Sequence, residues 1–224
     1  MKRPPQSSLA VRVAAEALGT LLLVAAVVGS GIMAERLTND TAVALLANTL
    51  ATAAILVVLV TILGPISGSH LNPSVSIVFA VRRELPSREL PIYVMAQIAG
   101  GIAGTILAHL MFDLAPLAAG TRLRSSPANW LAEFVATFSL VLAILGGLRF
   151  KPDSVPWLVG LVIASAYWFT ASTSFANPAV TIARAFTTTF SGIAPGDVPA
   201  FIGAQVSGAL AAAGASMILF PRDR

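Results

Sequence analysis

The chain has 224 residues, of which 56% are hydrophobic and only 11% are charged, and its net charge is +4. A typical soluble domain has about 25% charged residues, so this composition predicts an integral membrane protein. The positive residues are scattered between hydrophobic blocks, which favours membrane topology over nucleic-acid binding as the origin of the basic balance. The absence of cysteine excludes disulfides, thiolate metal sites and cysteine nucleophiles.

Six segments are apolar enough to be transmembrane helices, each of which needs roughly 20 mostly apolar residues. They cover approximately 9–33, 41–63, 90–112, 129–149, 156–171 and 198–220. The apolar block that follows residues 1–8 is too long for a signal-peptide core and lacks a clear cleavage site, so we expect it to be retained as the first span. The fifth segment is the shortest.

Two further apolar stretches, 72–81 and 177–186, are too short to cross a bilayer. As helices, each would be about 15 Å long, half of the roughly 30 Å hydrocarbon core. The stretches 64–69 and 170–174 that lead into them are rich in Gly, Pro, Ser and Thr, so we expect both to be non-helical. At that depth, irregular backbone must be buried in protein or line water. The pattern therefore predicts two re-entrant loops, each followed by a half-helix.

The two halves of the chain repeat each other. The matching segments are 15–20 with 132–137, and 97–100 with 205–208. Each half has three spans, an odd number, so the second half enters the membrane from the opposite side. We therefore expect an all-α membrane protein with one channel domain, 1–224, built from the inverted repeats 1–120 and 121–224. The permeation site is expected where the repeats meet.

The distribution of Lys and Arg supports cytoplasmic positions for both termini. With that orientation, ten basic residues lie in the inner segments and four in the outer ones. The inner ones are Lys2, Arg3, Arg12, Arg82, Arg83, Arg88, Arg149, Lys151, Arg222 and Arg224. The outer ones are Arg36, Arg122, Arg124 and Arg184.

An Asn-Pro pair opens each half-helix, in Asn72-Pro73-Ser74 and Asn177-Pro178-Ala179. Pro suits the first helical turn, and Asn suits the N-cap, which leaves its amide NH₂ free to donate to a permeating oxygen. Two half-helices that meet at their N-termini place two partial positive charges at mid-bilayer, where they oppose cations and protons. One Asn-Pro would indicate only a turn, but two in matching repeats predict a pore.

Glu16 and Glu133 are expected inside the membrane, where a carboxylate is costly unless it has partners. A proton relay is one interpretation, but the repeat favours a structural role in which each carboxylate accepts hydrogen bonds from loop N–H groups. His70 is expected to brace its loop through a ring hydrogen bond, with a gate or metal ligand as the alternative. Since His109 is the only other histidine, we expect no metal site and no cofactor.

The segments 67–75 and 174–179 resemble the signature loops of the aquaporin, or major intrinsic protein, family, and the resemblance covers essentially the whole chain. It implies six transmembrane helices plus two half-helices, a pore in each subunit and a homotetramer. It also implies a multi-pass protein of a bacterial inner membrane that passes water or small neutral solutes passively. Ser74 departs from the usual Ala of the family, but both residues are small.

Two other classes are less consistent with the sequence. An ion-coupled secondary transporter also uses inverted repeats, but would need midplane ionisable residues beyond Glu16 and Glu133. An intramembrane enzyme is not expected, because neither the Gly-x-Ser-x-Gly nor the His-Glu-x-x-His pattern occurs.

The resemblance further implies a four-residue selectivity filter near the outer mouth, with an Arg three residues after the second Asn. Here Val180 takes that place, and the next Arg, Arg184, follows one helical turn later. Spacing assigns the other three positions to Thr52, Ser165 and Ser174. A loop two residues shorter would put Tyr167 at the fifth-span position instead of Ser165.

These small, uncharged filter residues predict a constriction wider than a water-only pore. It would pass glycerol, urea or neutral metalloid hydroxides, and the missing Arg resembles a bacterial branch associated with arsenic, which makes arsenite and methylated arsenicals candidate solutes. The alternative is a water-selective channel in which Tyr167 or Arg184 narrows the mouth. The sequence leaves open whether Arg184 lines the vestibule or snorkels to the outer surface.

Overall fold

The computed structural model describes residues 7–221, and all regular secondary structure in that range is helical. The α-helices are α1 (Leu9–Leu37), α2 (Thr41–Ser67), α3 (Pro73–Val81), α4 (Leu90–Met111), α5 (Pro127–Phe150), α6 (Val155–Phe169), α7 (Pro178–Arg184) and α8 (Val198–Leu219). Short 3-10 turns, Pro152–Ser154 and Pro195–Asp197, lead directly into α6 and α8.

Five of these helices are long and apolar enough to cross a membrane: α1, α2, α4, α5 and α8. The sixth, α6, has 15 residues and is about 22 Å long, and the 3-10 turn Pro152–Ser154 extends it. The remaining two, α3 and α7, have 9 and 7 residues and begin at Pro73 and Pro178. The predicted arrangement of six longer helices and two half-helices is therefore confirmed.

The expectation that the whole stretch 64–69 is non-helical is wrong for residues 64–67, which extend the second span beyond its predicted end at about residue 63. Helix α2 continues through Pro65 to Ser67, and the Gly68 N–H still donates to the Gly64 carbonyl at 3.0 Å. Gly68 then adopts a left-handed conformation (φ 91°) that ends the helix, a common role for glycine at this position. Only the second loop is irregular throughout its predicted stretch, 170–174.

The second half-helix ends at Arg184, two residues before the predicted end. The carbonyls of Ala185 and Phe186 do not continue the helix, because they accept the N–H groups of Gly120 and Ala118 at 2.8 and 3.1 Å. The connection between α4 and α5 thus forms backbone hydrogen bonds with the chain that leaves α7, and a tertiary contact sets this helix end.

Two glycines allow the closest helix contacts. Helix α1 packs on α4, and α5 packs on α8. A Cβ atom on Gly100 would overlap the Ala17 carbonyl oxygen, and one on Gly208 would overlap the Phe134 carbonyl oxygen. Since these contacts occupy matching places in the two halves, they support the proposed inverted repeat.

Gly100→Ala is expected to destabilise the protein, because the added methyl group would push α4 away from the α1 backbone. Overpacking of this kind costs about 1–3 kcal/mol. Gly203→Ala is the matched control, because a Cβ atom there meets nothing within 4 Å. Thermal unfolding in detergent, followed by circular dichroism, should show a lower midpoint for Gly100→Ala only. Equal midpoints for both variants would contradict the tight contact.

Candidate functional site

Two irregular loops, residues 68–72 and 170–177, lead into the half-helices α3 and α7. In both loops, the residues one and three positions before the Asn adopt a left-handed backbone conformation. These positions are Ser69 (φ 46°), Leu71 (φ 49°), Ser174 (φ 50°) and Ala176 (φ 48°). Non-glycine residues seldom adopt this conformation, so surrounding contacts must hold both loops in place.

The carboxylate of Glu16 provides such contacts for the first loop. It accepts the backbone N–H groups of His70 and Leu71 at 2.9 and 2.6 Å. The Ser67 hydroxyl and the Gln97 amide also donate to it, at 2.7 and 2.9 Å. Glu16 is fully buried, and its four donors provide the partners that a buried carboxylate requires.

Glu133 does the same for the second loop. Its two carboxylate oxygens accept the N–H groups of Phe175 and Ala176 at 2.9 and 2.8 Å. The Gln205 amide donates to one of the same oxygens at 2.6 Å. Both buried carboxylates are thus used by loop N–H groups, a geometry that favours structural support over proton relay.

The two Asn side chains cap their half-helices. The Asn72 Oδ1 atom accepts the Ser74 N–H at 2.9 Å. The Asn177 Oδ1 atom accepts the N–H groups of Ala179 and Val180 at 3.0 and 3.3 Å. These bonds fix the orientation of both amide groups.

Each Asn amide also donates to the opposite loop. The Asn72 Nδ2 atom donates to the Ala176 carbonyl, and the Asn177 Nδ2 atom donates to the Leu71 carbonyl, both at 2.8 Å. The expectation that each whole NH₂ group is free to face the pore is therefore wrong. An amide carries two N–H donors, so one per Asn is left for a permeating molecule.

A cavity of about 460 Å³ passes both Asn residues. Along α6, the lining residues of the cavity begin at Asp153, just before the helix, and end at Tyr167, near the last residue of the helix. That separation corresponds to about 21 Å along a helix. We call the two ends of the cavity the Asp153 end and the Arg184 end, since Arg184 lines it beyond Asn177. A cavity of this shape, with the two Asn side chains between its ends, is a pore.

Most of the cavity wall is apolar and comes from residues four apart on single helices. These residues are Leu23 and Val27 on α1, Leu56 and Val60 on α2, Leu140, Ile144 and Leu148 on α5, and Val155, Val159 and Ile163 on α6. No motif in the sequence had indicated these positions. Their four-residue spacing, which places side chains on one helix face, was the available signal.

Three of the four predicted filter residues, Thr52, Ser174 and Val180, line the cavity. The assignment of Ser165 to this lining is wrong, because its side chain is exposed and its hydroxyl donates to the carbonyl of Val162 on its own helix. On the same helix, Tyr167 lines the cavity instead. Its hydroxyl donates to the Thr52 Oγ1 atom at 3.3 Å, which brings a phenol ring to the Arg184 end.

Arg184 lies inside the protein and not on its surface. Only 2% of the residue is exposed, and it lines the cavity. Its Nε atom donates to the Ser191 carbonyl, and its guanidinium carbon lies 3.4 Å from the centroid of the Phe175 ring. The surface alternative for Arg184 is therefore wrong. No sequence pattern had indicated Phe175 or Ser191 as its partners.

His70 also lines the cavity, from the loop that precedes the first half-helix. Its Nδ1 atom lies 3.0 Å from the Ser76 hydroxyl, and its ring packs against Phe79 and Tyr93. This arrangement is the ring hydrogen bond that loop bracing requires. Within residues 7–221, no three His, Asp or Glu side chains gather as a metal site would need.

Known proteins resemble this chain over most of its length. Residues 5–149 match the family described as Major intrinsic protein. The aquaglyceroporin AqpS of Rhizobium meliloti (strain 1021) is 66% identical over 201 residues, which cover 90% of this chain and 86% of that protein. The glycerol uptake facilitator protein of Bacillus subtilis (strain 168) is 34% identical over 132 residues, or 52% of this chain and 48% of that protein.

The fold is also that of a solved structure. The X-ray structure of the aquaglyceroporin from Plasmodium falciparum matches with a TM-score of 0.74 at 20% identity, covering 93% of this chain and 96% of that chain. At that identity the likeness shows the fold alone. On the family match and the bacterial relative, the chain belongs to the major intrinsic protein family, a family of membrane channels rather than enzymes.

Proposed function

We propose that the chain passes small uncharged solutes larger than water, with glycerol and urea as candidates alongside water itself. The observation that carries this proposal is Val180. It lines the cavity where the family usually has an Arg, and 5% of it is exposed. A Val side chain leaves more room than an Arg and adds no charge, so a solute with a carbon backbone can pass beside it.

The wall of the cavity suits such a solute. Glycerol has an apolar carbon edge and a row of hydroxyls, and the apolar stripes on α1, α2, α5 and α6 match the carbon edge. The Asn72 and Asn177 amides and the Ser174 hydroxyl supply polar groups for the hydroxyls. The names of the Rhizobium and Bacillus relatives also refer to glycerol.

The centre of the pore opposes cations. The half-helices α3 and α7 both begin beside the cavity, at Asn72 and Asn177, and helix N-termini carry partial positive charge. Because Glu16 and Glu133 are occupied by loop N–H groups, neither is placed to carry a coupling proton. Passive flux therefore fits better than ion-coupled transport.

Arsenite and methylated arsenicals are the narrower candidates. Neutral arsenous acid carries three hydroxyls on one centre, so it presents to the pore a polar surface comparable with that of glycerol. This part of the proposal depends on Val180, since its place in the usual position of Arg resembles the arsenic-associated branch of the family.

A water-selective channel is the second candidate, and Tyr167 favours it. The phenol ring reaches Thr52 across the cavity, and Arg184 lines the same end. If these two side chains set the narrowest point, water would pass and glycerol would not.

Flux measurements on purified protein in liposomes decide between the two candidates. We expect water, glycerol and arsenite to enter at least about tenfold faster than into protein-free vesicles, a barrier reduction of about 1.4 kcal/mol. The flux rates should rise linearly with the solute gradient and should not change when a pH gradient is imposed. Fast water entry with glycerol at the protein-free rate would favour the water-selective channel. Saturating, proton-dependent flux would contradict a channel.

The membrane arrangement proposed here is a homotetramer in a bacterial inner membrane, with both termini in the cytoplasm. The orientation depends partly on Lys2, Arg3, Arg222 and Arg224, which lie outside the described residues. In this orientation the Arg184 end of the pore faces outward, and Arg83 and Arg88, both exposed, face the cytoplasm.

A further inference from the structure

Two guanidinium groups, that of the buried Arg184 in the cavity wall and that of the half-buried Arg124 behind it, share one aromatic ring at the Arg184 end of the cavity. The guanidinium carbons of Arg184 and Arg124 lie 3.4 and 5.2 Å from the centroid of Phe175. Their protein acceptors are the backbone carbonyls of residues 190–192. Carbonyls orient both groups without neutralising them, so this end of the cavity carries positive charge that no ion pair among the described residues neutralises.

The nearby acidic groups have other partners. Glu133 accepts the two loop N–H groups and the Gln205 amide described above. Asp197 accepts the backbone N–H groups of Arg124 and Ser125 at 2.6 and 3.1 Å, and Glu35 pairs with Arg122 at 2.8 Å. Within residues 7–221, neither Arg124 nor Arg184 forms an ion pair. Burial, and then the neighbouring Arg122, lower the pKa of Arg124 to about 10, which still leaves it protonated at neutral pH.

Two buried polar atoms here lack a partner among the described residues: Arg184 Nη1 and Ser174 Oγ. Both residues line the cavity, and they are only 2% and 1% exposed. A guanidinium N–H can only donate, and a hydroxyl can donate as well as accept. A buried donor without a partner costs free energy. Binding of a molecule that supplies an acceptor oxygen at this point is therefore favoured.

From this geometry, we propose that the Arg184 end of the cavity binds small singly charged oxyanions, which then obstruct the passage of neutral solutes. This proposal rests on the proposed function in one respect, which is that solutes cross the membrane through this cavity. Charge-assisted hydrogen bonds to an anion are roughly twice as strong as neutral ones. Beyond the site, the wall is mostly apolar and, within residues 7–221, holds no Lys or Arg that could replace Arg184 as a partner, so the anion stays and blocks the pore.

The probe is methanesulfonate, with dimethyl sulfone as its neutral counterpart of similar size. Osmotic water flux and glycerol flux are measured in proteoliposomes as methanesulfonate replaces chloride on both sides at constant ionic strength. We expect flux to fall about twofold or more by tens of millimolar, as a weak site would give. Dimethyl sulfone at equal concentration should leave it nearly unchanged. No inhibition, or equal inhibition by the sulfone, would overturn the proposal.

Two variants locate the effect. Arg184→Gln should lose most of the inhibition, whereas Arg122→Gln should retain it, since Arg122 is paired with Glu35 and is not part of the cavity wall. Inhibition that persists in Arg184→Gln, or vanishes in Arg122→Gln, would overturn the proposal. If Arg184→Gln does not fold, the comparison of anion and sulfone on the unaltered chain still decides. Anion-sensitive water flux without glycerol flux would contradict the proposed function and leave this inference intact.

Discussion

Replacing Val180 by Arg is expected to reduce glycerol flux at least about tenfold, equivalent to about 1.4 kcal/mol of added barrier. Val180 lies in the cavity wall one helical turn before Arg184, so residues 180 and 184 share a helix face. A second guanidinium there fills the space beside Thr52 and Tyr167 and adds repulsion to a region that already has two cations. Water, the smaller solute, should lose less of its flux.

The matched control for this substitution is Val180→Ala, which shortens the same side chain and should preserve glycerol flux. Both variants are compared in liposomes by light scattering, at equal protein content and with equal elution profiles in detergent. Glycerol flux in Val180→Arg that equals that of the unaltered protein would show that Val180 does not border the narrow part of the pore.

Replacing Glu133 by Gln is expected to have the largest effect on stability. The two carboxylate oxygens accept three hydrogen bonds from Phe175, Ala176 and Gln205, but a Gln side chain offers one oxygen and an NH₂ group. At least one donor then faces another donor inside the membrane. An unpaired buried donor costs about 1–3 kcal/mol, which for a chain of this length lowers the unfolding midpoint by about 2–12 °C.

Thermal unfolding in detergent measures that change, and Glu35→Gln is the control. Glu35 pairs with Arg122 and accepts the Phe190 N–H on the exposed surface, where water can replace either contact, so its substitution should shift the midpoint by no more than about 4 °C. Glu16→Gln should behave like Glu133→Gln, since Glu16 accepts four hydrogen bonds in the matching place. A Glu133→Gln protein with an unchanged unfolding midpoint and unchanged flux would show that the carboxylate does not support the loop.

The sequence predicted the half-helices because their signals are local. Asn at the N-cap and Pro at the first helical position describe a helix start on their own, and the structure has such a start at Pro73 and at Pro178. The repeat then indicated that Glu16 and Glu133 have equivalent roles. Helix ends were predicted less well: α7 stops at Arg184 because distant backbone, at Ala118 and Gly120, takes the next carbonyls.

The choice between Ser165 and Tyr167 depended on an uncertain loop length. Ser165 and Tyr167 are two positions apart, which on an α-helix separates their side chains by about 200° around the axis. Only one of the two can therefore face the cavity. A better signal was present in the sequence. Val155, Val159, Ile163 and Tyr167 follow one another at intervals of four and all line the cavity, and extending that stripe would have selected Tyr167.

The position of Arg184 could not be obtained from spacing. Its side chain is held by the Ser191 carbonyl and by Phe175, and the Ile193 N–H donates to the Arg184 carbonyl at 3.2 Å. These partners lie in a segment without helical or strand periodicity. Only the folded path of that segment over α7 brings them to the guanidinium group.

The exchange of hydrogen bonds between the two Asn residues has a consequence for how the protein is made. The carbonyl partner of Asn72 is Ala176, 104 positions later in the chain, and the Leu71 carbonyl accepts from Asn177, 106 positions later. While the ribosome is still synthesising the second half, the first loop has only Glu16 and its neighbours to hold it. Membrane insertion of the early helices and closure of the pore are therefore separate events, and the channel becomes complete only when the last quarter of the chain arrives.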